Sequence, residues 1–343
     1  MRLLIAFGVL LIGVVVSESF FRKSESLEFV SSMNESVELT KKWFSVIEQF
    51  KKGKGIKSDA LSNVPYNYMI GDEWSEITTS LGSLESKKTS TNPDFSALIV
   101  RLLHEAGVSK GEKAGVILSG SFPSLAVSVL AALQTMEIEA YIMSSVGAST
   151  YGANQPDATW IDMESELIER GGLKYNSDLV SIGAGEDAGI GLSEEGLSDI
   201  RNTALRNKIN LYIPGSLKES IEKRVELFKE KGISILINIG GNETAIGNCR
   251  HTLSIPNGLH SEVVRCIDET RGLISRMNEI GVPFINLLNI KDLASQYGIS
   301  VSPGSDYAAS TNLFKTTKTN KPVLAIILTI CLIPVYILRK KVY

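Results

Sequence analysis

From Asn92 onward, apolar and polar positions follow two alternating rhythms along the 343-residue chain. Short apolar runs at Ala114–Leu118, Glu139–Met143, Leu179–Ile182, Asn210–Ile213, Ile233–Ile239 and Pro283–Leu287 read as strands. Helix-period stretches separate them: Asn92–Glu105, Pro123–Met136, Trp160–Gly171, Ser193–Lys208, Ser216–Lys231 and Ser261–Gly281. For the first of these helices the spacing predicts Asn92 as N-cap, Pro93 at the first helical position and Gly107 as the stop. Strands alternating with helices of this length predict an α/β fold, a mostly parallel sheet flanked by helices. Right-handed crossovers then bring the strand carboxyl ends to one edge, where such sheets bind ligands.

Both ends of the chain have a different pattern. Leu3–Val16 is an uncharged apolar run preceded by Met1 and Arg2, the pattern of a signal peptide or signal anchor. Pro322–Leu338 is a longer apolar run followed by Arg339, Lys340 and Lys341, the pattern of a transmembrane helix with a cytoplasmic basic tail. The expected organisation is a signal anchor or signal peptide at 1–20, a juxtamembrane helical region at 21–90, the α/β domain at 91–310 and a membrane span at 322–338. The body between the spans is expected outside the cytoplasm. Within the juxtamembrane region, Val37, Leu39, Trp43, Phe44, Ile47 and Phe50 share one helix face. The KKGKGIK stretch after them lacks the spacing of a phosphate loop and reads as a solvated linker.

Three strand edges carry the candidate chemistry. The first is Ser119-Gly120-Ser121, just before a helix that begins near Pro123, where free amides attract anions. Ser121 is the candidate nucleophile, although GxSxG is absent and no base stands beside it in sequence. The second is the long polar loop holding Ser145, Gly147, Ser149, Tyr151, Gly152 and Asn154. Asp162 and Glu164 follow; they suit a helix N-terminus, and Asp162 is kept as a ligand candidate. The third edge is INIGGNETAIGNC, with Asn238, Gly240, Gly241 and Asn242. It is not GxGxxG, and no helix is expected to open on it. The Gly183–Gly196 connection is Gly-rich, with Glu186 and Asp187 read as exposed.

Composition narrows the function classes. Hydrophobic content of 43% and charged content of 21% are those of a globular protein, and a net charge of -3 argues against nucleic acid as a partner. Of three cysteines, Cys331 lies in the second apolar run, which leaves Cys249 and Cys266 as the one disulfide pair open to the soluble body. No CxxC motif or His/Cys cluster points to a metal, and no cofactor is indicated; His104, His251 and His260 are scattered.

Four segments carry a resemblance: ITTSLGSLESKKTSTNPDFSALIVRLLHEAGVSKGEKAGV, LSGSFPSL, SSVGASTYGANQPDATWIDME and ILINIGG. Together they resemble the poly-gamma-glutamate system protein family, membrane proteins that accompany the capsule-type poly-γ-glutamate synthase of bacteria. The similarity covers about residues 60–305. That family usually carries another glycine after Gly241, where Asn242 stands here. The resemblance implies a cell-membrane location and a partnership with an ATP-dependent amide ligase, its small membrane subunit and the anionic polymer. It implies no reaction and no catalytic residue. The chain has no phosphate-loop motif, which fits an accessory role rather than a ligase. Two function classes stand open: an accessory that binds the polymer or the synthase, and a γ-glutamyl hydrolase or transferase with Ser121 as nucleophile. A sensor of small acidic ligands is a third.

Overall fold

A computed structural model describes residues 2–58, 63–248, 255–262, 271–301, 306, 307, 310 and 312–340. The chain begins with α1 (Arg2–Phe20), β1 (Lys23–Ser26), α2 (Val30–Gly53), β2 (Thr78–Ser80), α3 (Leu84–Ser90) and α4 (Asp94–Glu105). It continues through β3 (Lys113–Ser119), α5 (Pro123–Thr135), β4 (Glu139–Ser145), β5 (Ala148–Ser149), β6 (Asn154–Gln155), β7 (Ala158–Thr159), α6 (Trp160–Glu166) and β8 (Ser177–Ser181). Then come α7 (Glu194–Arg206), β9 (Leu211–Tyr212), α8 (Leu217–Lys231), β10 (Ile235–Ile239), α9 (Glu243–Ile246) and β11 (Gly258–His260). The remaining elements are α10 (Leu273–Asn278), β12 (Phe284–Leu287), α11 (Ile290–Tyr297), β13 (Lys315–Lys318) and α12 (Lys321–Lys340). These elements form two compact units, residues 1–30 with 314–343, and residues 31–313.

The smaller unit pairs the two terminal helices. Strands β1 and β13 run antiparallel, from Lys23 opposite Lys318 to Ser26 opposite Lys315. Thr319 Oγ1 donates to Glu18 at 2.6 Å, so the C-terminal end of α1 meets the start of α12 and residues 2 and 340 lie at the same end. Several apolar side chains of the pair are exposed, Phe7, Ile12, Ile326 and Ile330 by 59–64%. The N-terminal anchor and C-terminal span expected from the sequence fall partly outside the described residues, since no side chains are described at 2–6, 20, 331 and 334–340. Among the described residues no helix is long and apolar enough to cross a membrane. The expected juxtamembrane helical region at 21–90 opens on a strand, β1, before α2 begins.

The larger unit is α/β. Its seven-stranded sheet has the order β11-β12-β10-β3-β4-β8-β9, parallel throughout except that β11 runs antiparallel to β12 at the edge. From β3 the chain adds β4, β8 and β9 on one side, then crosses back to place β10 and β12 on the other. The strand order therefore reverses between β3 and β10, and a crevice opens at such a switch point. Ile117, Met143, Leu236 and Phe284 on one sheet face pack with Ile221, Val225 and Phe228 of α8 and with Leu273 and Met277 of α10. Each such side chain contributes roughly 1.5–3 kcal/mol on burial. Helix α5 is buried from Pro123 through Leu133, which suits its nearly uncharged sequence.

Boundaries differ from the sequence reading in instructive ways. The larger unit begins at Ser31, so residues 31–90 belong with the sheet rather than to a separate juxtamembrane region. Helix α2 buries Val37, Trp43, Phe44, Ile47 and Phe50, and the Trp43 indole donates to Gly171 O at 3.0 Å. The helix extends through Gly53 and buries Lys51, so the start of KKGKGIK is not a solvated linker. Pro93 is the N-cap of α4 rather than its first helical residue, and Asn92 Oδ1 accepts from the Asp94 amide at 3.0 Å. Of the helix expected over 261–281, only α10 is formed among the described residues; 263–270 lie outside them, as do Cys249, His251 and Cys266.

Candidate functional site

At the switch point the loops after four parallel strands meet above the sheet edge. Gly120 N donates to Ser145 O at 3.1 Å and Ala153 N to Gly120 O at 2.7 Å, tying the loop after β3 to the loop after β4. Val146 N and Gly147 N donate to Ser181 O and Ile182 O, tying that loop to the one after β8. Asn242 Nδ2 reaches Ser145 Oγ at 3.3 Å and brings in the loop after β10. The result is a cleft of about 410 Å³.

Seven of the candidate residues line it: Ser119, Ser121, Ser145, Gly147, Ser149, Gly241 and Asn242. Gly183, Ala184 and Gly185 form a further wall, with Glu243 and Leu288 beside them. Asp187 fixes that wall from below. It forms a fully buried ion pair with Arg224 at 2.9 Å and accepts from Ser181 and Ser220, each at 2.7 Å. This network holds Gly183, Ala184, Glu186 and Asp187 at positive φ, a conformation an unsupported chain would leave. Asp187 is thus buried, against the expectation of an exposed residue.

The remaining candidates serve other ends. A Cβ on Gly120 would stand 2.9 Å from Val146 O and 3.0 Å from Ala148 Cβ, and one on Gly152 would stand 2.8 Å from Gly120 O. Both glycines allow close packing of loops rather than approach of a ligand. Tyr151 takes a left-handed φ of 61° in the turn. Asn154 is buried and bonds Asp72 and Thr78. Asp162 forms a capping box with Thr159 and an ion pair with Arg206 at 2.6 Å, so its carboxylate is committed within the fold. Asn238 donates to Gly240 O and Asn286 Oδ1, each at 2.8 Å, beneath the third loop. Asn242 caps α9, so a short helix does open on that edge.

The residue that sequence reasoning missed is Lys87. Strand β2 pairs in parallel with β5, Thr78 beside Ala148 and Ser80 beside Ser149. Thr150 Oγ1 clamps the next turn by accepting from Gly82 N at 2.6 Å. Helix α3, capped by Ser83, follows at once and aims Lys87 inward. The Lys87 side chain is buried; its Nζ donates to the Ser121 carbonyl and to Ser149 Oγ, the latter at 2.9 Å. It also lies 3.7 Å from the centre of the Phe122 ring. Burial pushes the Lys87 ammonium down to about 7, since the charged form loses its hydration.

These contacts separate the two serines. Ser121 Oγ accepts from the Ser149 amide at 3.1 Å, and Lys87 meets the Ser121 carbonyl rather than its hydroxyl. The N-cap position of α5 is Phe122, and Ser121 does not cap that helix. Ser149, by contrast, has its hydroxyl against the Lys87 amine, where burial favours the neutral form. Among the described residues no group of three His, Cys, Asp or Glu side chains is placed to hold a metal. No family model, curated protein or solved structure matches the chain.

Proposed function

We propose that this chain is a membrane-anchored accessory component of bacterial poly-γ-glutamate synthesis or export, and that its cleft holds a γ-glutamyl segment of the polymer. The observation that carries this reading is the cleft itself. Serine hydroxyls, glycine backbone, Lys87 and Phe122 at the opening of α5 line a space of about 410 Å³. A carboxylate is favoured near a helix N-terminus by about 0.3–1 kcal/mol at an exposed site, and the polymer offers one on every repeat. Useful affinity then comes from several repeats engaging together.

The resemblance supplies the partners: the ATP-dependent ligase, its membrane subunit and the anionic chain. Membrane attachment is supported by the exposed apolar side chains of α1 and α12, because soluble surfaces rarely expose large apolar patches. Placement of the body outside the cytoplasm is supported by the Arg339–Lys341 cluster beyond the second apolar run. Deletion of the gene, followed by quantitation of cell-bound and released polymer, tests the role. An accessory for synthesis or export predicts loss or shortening of the polymer. Unchanged amount, length and retention would refute it.

A further inference from the structure

Lys87 and Ser149 come from distant parts of the chain and meet at the base of the cleft with 2.9 Å between Nζ and Oγ. We propose that they form a Ser–Lys dyad, Ser149 as nucleophile and Lys87 as general base, acting by acyl transfer on a secondary amide bound in the cleft. That the amide is the γ-linkage of polyglutamate rests on the reading above; the dyad itself does not.

The local chemistry supports the roles. A serine hydroxyl is a weak nucleophile until a neighbouring base takes its proton. A lysine serves as that base only when it is held neutral, and burial does this for Lys87 by lowering its pKa to about 7. Its position is fixed by the Ser121 carbonyl and the Phe122 ring. Ser149 is held from its backbone, whose amide donates to Ser121 Oγ at 3.1 Å. Ser121 is a positioning residue for the hydroxyl beside it. Both dyad residues line the cleft, with Ser149 6% exposed and Lys87 2%.

The step balances within the site. Ser149 Oγ forms a bond to the amide carbonyl carbon while its proton passes to Lys87 Nζ. Collapse of the tetrahedral adduct breaks the C–N bond, and the leaving amine takes the proton from the Lys87 ammonium. This leaves an ester on Ser149 and a free amine. Water then attacks the ester with Lys87 again accepting the proton, which returns the serine and releases a carboxylic acid. A second amine in place of water gives transfer instead of hydrolysis. No external oxidant, reductant or nucleotide is required.

The test treats the full chain in lipid nanodiscs with a fluorophosphonate, a serine-reactive probe that carries no glutamate, and maps the adduct by mass spectrometry. The dyad predicts an adduct on Ser149, formed faster as pH rises through about 7. Ser149→Ala should abolish it. Lys87→Met should slow labelling by roughly 10²–10⁴-fold while the protein melts no lower than the parent. No adduct, an adduct on Ser121, or labelling that ignores Lys87→Met would overturn the dyad. Incubation with γ-linked glutamate oligomers then reads the substrate. Release of shorter chains supports the γ-amide assignment, and a labelled but inert protein removes that assignment while leaving the dyad. Polymer binding without labelling leaves the accessory role and removes the dyad.

Discussion

Lys87 Nζ and Ser149 Oγ are 2.9 Å apart although 62 residues separate them in sequence. The β2–β5 pairing and the Thr150–Gly82 clamp set that distance, so the geometry depends on a segment far from the strands that form the cleft floor. Disturbing the clamp should therefore disturb the cleft.

Gly82→Ala tests this. A Cβ at Gly82 would lie 2.9 Å from Ser149 Oγ, 2.9 Å from Thr150 O and 3.2 Å from Lys87 Cε. The backbone oxygen cannot yield cheaply, so overpacking should cost about 1–3 kcal/mol. Thermal unfolding and fluorophosphonate labelling should both register the change; a variant with wild-type melting and labelling would show that the clamp is not tight.

Arg224→Met should be severe. It leaves the Asp187 carboxylate buried with only Ser181 and Ser220 to satisfy it. Removing one partner of a buried pair typically costs about 3–5 kcal/mol. Urea unfolding should show that loss, and hydrogen exchange should rise in residues 183–188. Equal stability would mean that the pair does not hold the cleft wall.

Lys51 offers a pH test of stability. It is buried, its Nζ has no hydrogen-bond partner, and burial lowers its pKa from 10.5 to about 7 against the opposing pull of Asp72. Below pH 7 the lysine is charged both folded and unfolded, so the folded state bears the full desolvation cost. From pH 7 to 10.5 it is neutral when folded and protonated when unfolded, so that cost fades as pH rises. Lys51→Met should raise stability by about 1–3 kcal/mol at pH 6, with the gain shrinking as pH approaches 10.5. A gain that grows with pH would contradict this sign.

Topology is checked with reporters. Alkaline phosphatase fused near Ile200 should be active, and a fusion after Tyr343 should report the cytoplasm. Reversed activities would invert the orientation.

Much of the fold was legible in the sequence because the parallel strands are largely apolar runs, such as Ala114–Leu118, between stretches of helical period. The convergence of Ser119, Ser145 and Gly241 followed from the same pattern, since parallel strands share a carboxyl edge. Lys87 was not legible. A lysine in a seven-residue helix has no burial signature, and its inward aim comes from a three-residue strand paired to a two-residue one. Ser121 was favoured over Ser149 because only local sequence was visible, whereas the base comes from another segment. The close packing of Gly120 against Val146 and Ala148 was not legible either, because those neighbours come from the next loop.

The most direct test of the account is binding of γ-linked oligoglutamate to the full chain in nanodiscs, measured by calorimetry with α-linked oligoglutamate as control, for the wild type and Gly241→Leu. Gly241 lines the cleft, and the atom nearest an added Cβ is the end of the Leu288 side chain at 3.3 Å, so leucine there should fill the cleft without unfolding the protein. The account predicts that the wild type binds the γ-linked chain in preference to the α-linked one, and that Gly241→Leu weakens binding about tenfold or more, a loss of about 1.4 kcal/mol. Equal binding of both linkages, or γ-linked binding untouched by Gly241→Leu, would contradict it.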